Sequence, residues 1–185
     1  MARWCVALLA VFLSAEVFAA RALTVRVVNL ANLNSHDLTA ALEATTALYG
    51  EAGILVNWVV CGPCDTPLTR HELWLRVASS PLTAGTTLGD AALNPRTGTG
   101  IVATIYADRV ERASRESGTR VERLLGLTIA HELGHLLIGS VKHDHTGIMR
   151  SGWSTADLRS AQRFAFTQRE GFELRAGLSQ RATTD

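Results

Sequence analysis

The sequence predicts an α+β fold: a twisted, mixed sheet of four or five strands with a backing helix, a buried central helix and a C-terminal helix. Three observations carry this. Short runs alternate apolar with polar residues or are largely β-branched, as strands do. One helix-length stretch, Leu124–Ile138, holds a single carboxylate and no lysine or arginine, so it belongs in a core. Turn clusters separate the runs, the clearest being Asn94-Pro95-Arg96-Thr97-Gly98. At 185 residues the chain is of ordinary size for one domain with a respectable core.

The chain opens on material unlike the rest. Arg3 is followed by the apolar run Cys5–Leu13, too short to span a bilayer. Val17-Phe18-Ala19 then offers small or β-branched residues around a cleavage point. Residues 1–19 are therefore expected to be a secretory signal peptide, and residues 20–185 the exported domain. A secreted or periplasmic location follows, with no stable membrane association after cleavage and with a monomer expected.

Leu23–Leu30 alternates and reads as a half-buried strand. Ser35 or Asp37 is expected to cap a helix whose inward face is Leu38, Ala41, Leu42, Thr45 and Leu48, closed by Gly53. Ile54–Val60 is a more buried strand, and strand, helix, strand in this order suggests a parallel pair. Leu73–Val77 and Ile101–Tyr106 are further strands, with a short edge strand near Leu88–Leu93. Arg109–Arg123 is charged but mixed in sign and reads as a solvated surface.

Thr119 and Glu122 have the spacing of a capping box, which starts the central helix near Arg120. Gly126 inside that helix suggests close approach to the sheet. After Met149, Ser151 or Ser154 can cap a terminal helix running past Leu158 and Phe164. Gln168 onward continues it or forms a second short helix, and Ser179–Asp185 look frayed.

Cys61-Gly62-Pro63-Cys64 has the spacing of a redox motif. A redox pair needs a long helix behind it to lower the thiol pKa, and here Asp65, Thr66 and Pro67 follow instead. With Cys5 removed in the leader, Cys61 and Cys64 are the cysteines of an exported chain, and a structural disulfide is expected between them.

The chemistry concentrates between Thr128 and Met149. His131 and His135 stand four residues apart, which on a helix places both imidazoles on one face, within reach of a single metal ion. Glu132 beside them completes H-E-x-x-H, where the carboxylate is the general base acting on a metal-activated water. A third protein ligand is expected. Gly139 can end the helix in the left-handed conformation, so that the chain turns back and brings His143 or His145 to the metal. His143 is favoured, because it leaves Asp144–Gly147 as room for a turn before Ile148 and Met149.

H-E-x-x-H, a glycine, a third histidine and then Gly147-Ile148-Met149 resembles the metzincin metallopeptidases, most of all their matrixin branch. It is also similar to small exported bacterial proteins carrying HELGHLL-G and H-x-x-x-GIM. The resemblance implies Zn2+ held by His131, His135 and His143, Glu132 as base, and Met149 as the apolar floor of a Met-turn. It also implies a peptide or protein substrate paired with the edge strand before Ile101. Trp153 would wall a side-chain pocket, and no tyrosine follows Met149 to stabilise an oxyanion. The chain departs from the family pattern in its spacing: Gly139 lies four residues after His135 and His143 eight after it, against three and six in the family. The helix must therefore run longer before the return. In a different arrangement, that of the gluzincins, a later glutamate such as Glu170 or Glu173 is the ligand, which would leave Gly147-Ile148-Met149 unexplained.

Net charge is +1, with one lysine among eighteen basic residues and no basic stripe, so nucleic acid is not an expected partner. Two classes remain: a secreted zinc endopeptidase, and an exported zinc-binding protein of the same fold without hydrolysis. A purely structural zinc site has no use for a neighbouring base, so Glu132 favours the enzyme.

Overall fold

A computed structural model describes residues 21–62, 66–69, 71–81, 85–160 and 164–183. The expected leader and Cys64 lie outside the described residues.

Alternation builds the sheet. β1 (Arg21–Asn29), β2 (Ile54–Cys61), β3 (Glu72–Ala78), β4 (Gly89–Ala92) and β5 (Val102–Tyr106) pair in the order β2-β1-β3-β5-β4. The first four in that order run parallel, while β4 is antiparallel to β5 and forms an edge. Period-two geometry sends Leu23, Val25, Val27, Leu73, Leu75, Val77, Ala103 and Ile105 to one face, where all are fully buried. Register sets Val25 beside Leu73 and Leu75 beside Ala103, so the face is continuous. On the opposite face Arg26 pairs with Glu72 at 2.8 Å, and its other amino group donates to the Thr66 carbonyl at 2.6 Å.

Helices cover the apolar face. α1 (Ser35–Glu51) lies between β1 and β2 in the chain, and Leu38, Ala41, Leu42, Thr45 and Tyr49 are its buried residues. Tyr49 takes the place the sequence suggested for Leu48. Neither Ser35 nor Asp37 caps this helix; the Asn34 carboxamide accepts from the His36 N–H instead.

The central helix, α3 (Val121–Ile138), is buried at every residue from Leu124 to Leu137. Its tight neighbour is α1 rather than the sheet. A Cβ at Gly126 would lie 2.8 Å from the Ala41 carbonyl oxygen and 3.0 Å from the Ala44 Cβ. The Thr45 hydroxyl donates to the Gly126 carbonyl at 3.0 Å, and the Tyr49 hydroxyl to that of Ala130 at 3.0 Å. The expected capping box is absent. Arg120 occupies the N-cap without a side-chain bond, the Thr119 hydroxyl is buried with no partner among the described residues, and Glu122 pairs with Arg120.

α2 (Ala107–Ser117) falls on the stretch read from sequence as solvated surface. Its buried residues are Ala107, Arg109, Val110, Ser114 and Ser117, so its inward stripe carries little apolar signal. Arg109 donates to the Thr87 carbonyl at 3.0 Å, which ties this helix to the approach into β4.

The C-terminal region divides in two. α4 (Thr155–Arg159) is short, and Ser154 caps it with Asp157 in a capping box; Ser151 does not. α5 (Gln168–Thr183) is a separate, longer helix and includes most of the segment expected to fray. It packs so closely behind α3 that a Cβ at Gly177 would overlap the Leu137 carbonyl oxygen. Arg181 donates to the Leu136 carbonyl at 2.7 Å, one of the last carbonyls of α3, which have no partner within the helix.

Gly177→Ala should therefore destabilise the protein by about 1–3 kcal/mol in urea unfolding, despite alanine's higher helix propensity. Gly50→Ala in α1, where an added Cβ meets nothing within 4 Å, should instead gain a few tenths to about 1 kcal/mol.

Candidate metal centre

α3 supplies two of the three imidazoles directly. His131 and His135 stand one turn apart with ring centroids 4.6 Å from each other, and both are buried. The helix runs on to Ile138 and closes at Gly139, whose φ of 71° is the left-handed conformation that glycine adopts freely. The chain then turns back, and the Asp144 N–H donates to the Met149 carbonyl at 2.9 Å, closing the return.

That return delivers His143 to the helix. Its Nε2 lies 3.3 Å from the Nε2 of His135, which in turn is 3.0 Å from the Nε2 of His131. Among the described residues His131, His135 and His143 are the one group able to hold a metal ion together. His145 is exposed and stands outside that group. Glu170 and Glu173 are outside it as well: Glu173 pairs with Arg169, and Glu170 accepts from main-chain N–H groups.

The tautomers follow from main-chain carbonyls, which only accept. His131 Nδ1 lies 2.8 Å from the Ile148 carbonyl and His135 Nδ1 lies 2.6 Å from that of Ser140. Both Nδ1 atoms thus carry the proton and both Nε2 atoms present a lone pair. Burial favours the same neutral form: it pushes His131 down to about 4, against the carbonyl bond that acts the other way, and it lowers His135 too. Bare lone pairs converging at 3.0 and 3.3 Å repel unless a cation lies between them. Tetrahedral zinc with ~2.0–2.1 Å bonds asks for nitrogens roughly 3.3 Å apart, so the residues fit that ion.

Glu132 is buried next to this group. Burial first, and the charge of Asp90 second, push its carboxyl up to about 8. A divalent cation facing it would draw that value down again. β4 closes over it: a Cβ at Gly89 would sit 2.7 Å from the Glu132 Cγ.

Met149 lies below. It is buried, and its sulfur occupies the space a Cβ at Gly134 would need. Its N–H donates to Glu170 Oε1 at 2.9 Å, and Thr167 N–H donates to Oε2 at 2.6 Å, so a fully buried carboxylate on α5 holds the methionine in place. Gly147, at φ 77°, packs against the same carboxylate, where a side chain would collide.

A cleft of about 610 Å³ runs past the histidines between β4 and the segment after Met149. Trp153 walls it, edge-on to His131 at 5.6 Å between centroids. Gly89, Asp90 and Glu170 were not singled out for these places by spacing. Only the turn-like Gly-Asp pair hinted at the first two, and nothing local marks the third.

No protein-family profile matches the chain, and no curated protein does. Solved structures do. A zinc-dependent peptidase from Methanocorpusculum labreanum superposes with a TM-score of 0.55 at 16% identity, over 81% of this chain and 99% of that one. An archaemetzincin from Methanopyrus kandleri gives 0.58 at 16%, over 87% and 97%. Metalloproteinase-II from Bacteroides fragilis gives 0.57 at 14%, over 88% of this chain and 55% of that one. At such identities the likeness establishes the fold alone, an α+β fold whose mixed five-stranded sheet falls within the four or five strands expected from sequence.

Dialysed against zinc, the protein should retain one ion per chain. His143→Ala should weaken retention by more than about 100-fold, a larger loss than removing an outer partner causes. His145→Ala should leave the stoichiometry unchanged, as counted by atomic emission.

Proposed function

We propose that this chain is a zinc-dependent endopeptidase of metzincin type, with His131, His135 and His143 as ligands and Glu132 as general base. The carrying observation is the meeting, in one cleft, of three converging Nε2 atoms with a buried carboxylate. Fold likeness to proteins described as zinc-dependent peptidase, archaemetzincin and metalloproteinase supports the reading.

Bound there, zinc supplies a Lewis acid that acidifies water and polarises a carbonyl. The protein's own groups do the rest. Glu132 accepts a proton from the attacking water at its carboxylate and returns it to the leaving nitrogen. Ile148 and Ser140 hold the two helix imidazoles in the ligating tautomer. Met149 floors the site in the manner of a Met-turn.

The sheet edge offers the place for substrate. The Tyr106 N–H donates to the Leu88 carbonyl at 2.9 Å. Hydrogen-bonded pairs alternate along an antiparallel ladder, so Asp90 and Ala92 also turn their main-chain groups to β5, and Gly89 and Ala91 turn theirs outward. An extended peptide can add to that edge in front of Glu132.

Glu132→Gln should keep the zinc while cleavage of an unfolded-protein or peptide library falls by at least about 100-fold, the lower end of what general-base catalysis contributes. Equal cleavage by the variant, or none by the zinc-loaded wild type, would leave a metal-binding protein without hydrolysis.

We further infer export, with residues 1–19 removed and Cys61 joined to Cys64. The mass of the protein recovered from outside the cytoplasm should begin at residue 20 and gain alkyl groups at two cysteines only after reduction. A retained leader or thiols that alkylate without reductant would refute this.

A further inference from the structure

One charged group in the cleft has no assigned work. Asp90 sits in the middle of β4 and is exposed, and its carboxylate has no hydrogen-bond or ion-pair partner among the described residues. It lines the same cleft as Glu132 and the three histidines. The nearest cation in its cross-strand row is Arg76, reached through Thr104 and two strands away, roughly 9–10 Å by strand spacing. The two do not pair. An exposed carboxylate with no cation beside it among the described residues is open to one brought by a bound partner.

The ladder says what can join it. Gly89 and Ala91 offer the outward main-chain groups, so a peptide added antiparallel to β4 makes its hydrogen-bonded pairs with those two residues. Asp90 then falls in the intervening non-hydrogen-bonded pair, the kind in which opposed Cα atoms approach to ~4.5 Å and side chains are closest. Its side chain and that of the opposing peptide residue lie on the same face of the extended sheet.

We propose that Asp90 is a specificity-determining residue, pairing across the strands with a lysine or arginine of the substrate at the position opposite it. The proposal rests on the peptidase reading for its substrate but on the free edge of β4 and the unpaired carboxylate for its chemistry. It gives the enzyme a preference for basic peptides that zinc and Glu132 do not themselves impose.

The test uses the zinc-loaded full mature chain and fluorogenic peptides sharing one alanine-rich frame. Lysine, norleucine or glutamate is walked through the positions on either side of the cleaved bond. At one position lysine should exceed norleucine in kcat/KM by about twofold to fivefold, the size of a cross-strand charge pair, with glutamate lowest. Asp90→Asn should flatten that ranking and Asp90→Lys should invert it toward glutamate. The preference should shrink as ionic strength is raised about tenfold, from roughly 0.05 to roughly 0.5 M.

The same peptides, their binding followed by fluorescence anisotropy on Glu132→Gln with and without the Asp90 changes, give a readout independent of turnover. Asp90-dependent preference in binding without any cleavage by the wild type would sink the peptidase reading and sustain this one. Cleavage with no charge preference at any position, or a preference that survives Asp90→Asn, overturns it. A preference abolished by acetylating the peptide's N-terminus assigns the cation to the α-amine and also overturns the side-chain pairing. Peptides that neither bind nor are cleaved defeat both readings.

Discussion

Two main-chain carbonyls, those of Ile148 and Ser140, decide which nitrogen of each helix histidine carries its proton. Without them a buried imidazole is free to present either ring nitrogen, and a metal would find a donor on one ring and a lone pair on the next. Both carbonyls belong to the chain after α3, so the ligating form of the helix residues depends on the return having folded. That return is held in turn from α5: the buried Glu170 carboxylate accepts the Met149 and Thr167 N–H groups. A carboxylate wholly out of water is tolerable only with such charge-assisted bonds. The C-terminal helix is thereby coupled to the protonation of His131 through a short run of covalent and hydrogen bonds.

Much of this was legible in the sequence because it depends on local rules. Four-residue spacing on a helix fixes the relation of His131 to His135 whatever surrounds them. Gly139 announces the left-handed stop, and the room needed for a turn separates His143 from His145. β1 and β3 were legible by alternation and β2 by its β-branched run, but β2, read as more buried, lies at the other edge of the sheet with Leu55, Val59 and Val60 exposed.

What the sequence hid depends on partners remote in the chain. Thr119 and Glu122 have capping-box spacing, yet Glu122 is engaged by Arg120 and the threonine hydroxyl is buried, so the local rule lost to its surroundings. α2 escaped notice because its inward side carries a single valine among alanine, serines and an arginine whose guanidinium reaches the Thr87 carbonyl. Glu170 was weighed as a ligand because glutamates after such a motif can be ligands. Only the fold shows its two oxygens already occupied by N–H donors.

The same distinction explains how α3 keeps two imidazoles and a carboxylate in register inside a core. α3 is approached on several sides at glycines: its own Gly126 meets the main chain of α1, its Gly134 receives the Met149 sulfur, Gly177 of α5 meets its Leu137 carbonyl, and Gly89 of β4 admits Glu132. The two contacts of backbone on backbone, at Gly126 and Gly177, have little slack, since no rotamer change can absorb an error there. The imidazoles and the carboxylate thus inherit the rigidity of the frame that carries them, which a metal site and a general base both require. Asp90 follows from the same geometry. Gly89 must face inward to make room for Glu132, so the pleat turns its neighbour to the opposite face. A carboxylate there faces whatever strand comes to lie along the edge.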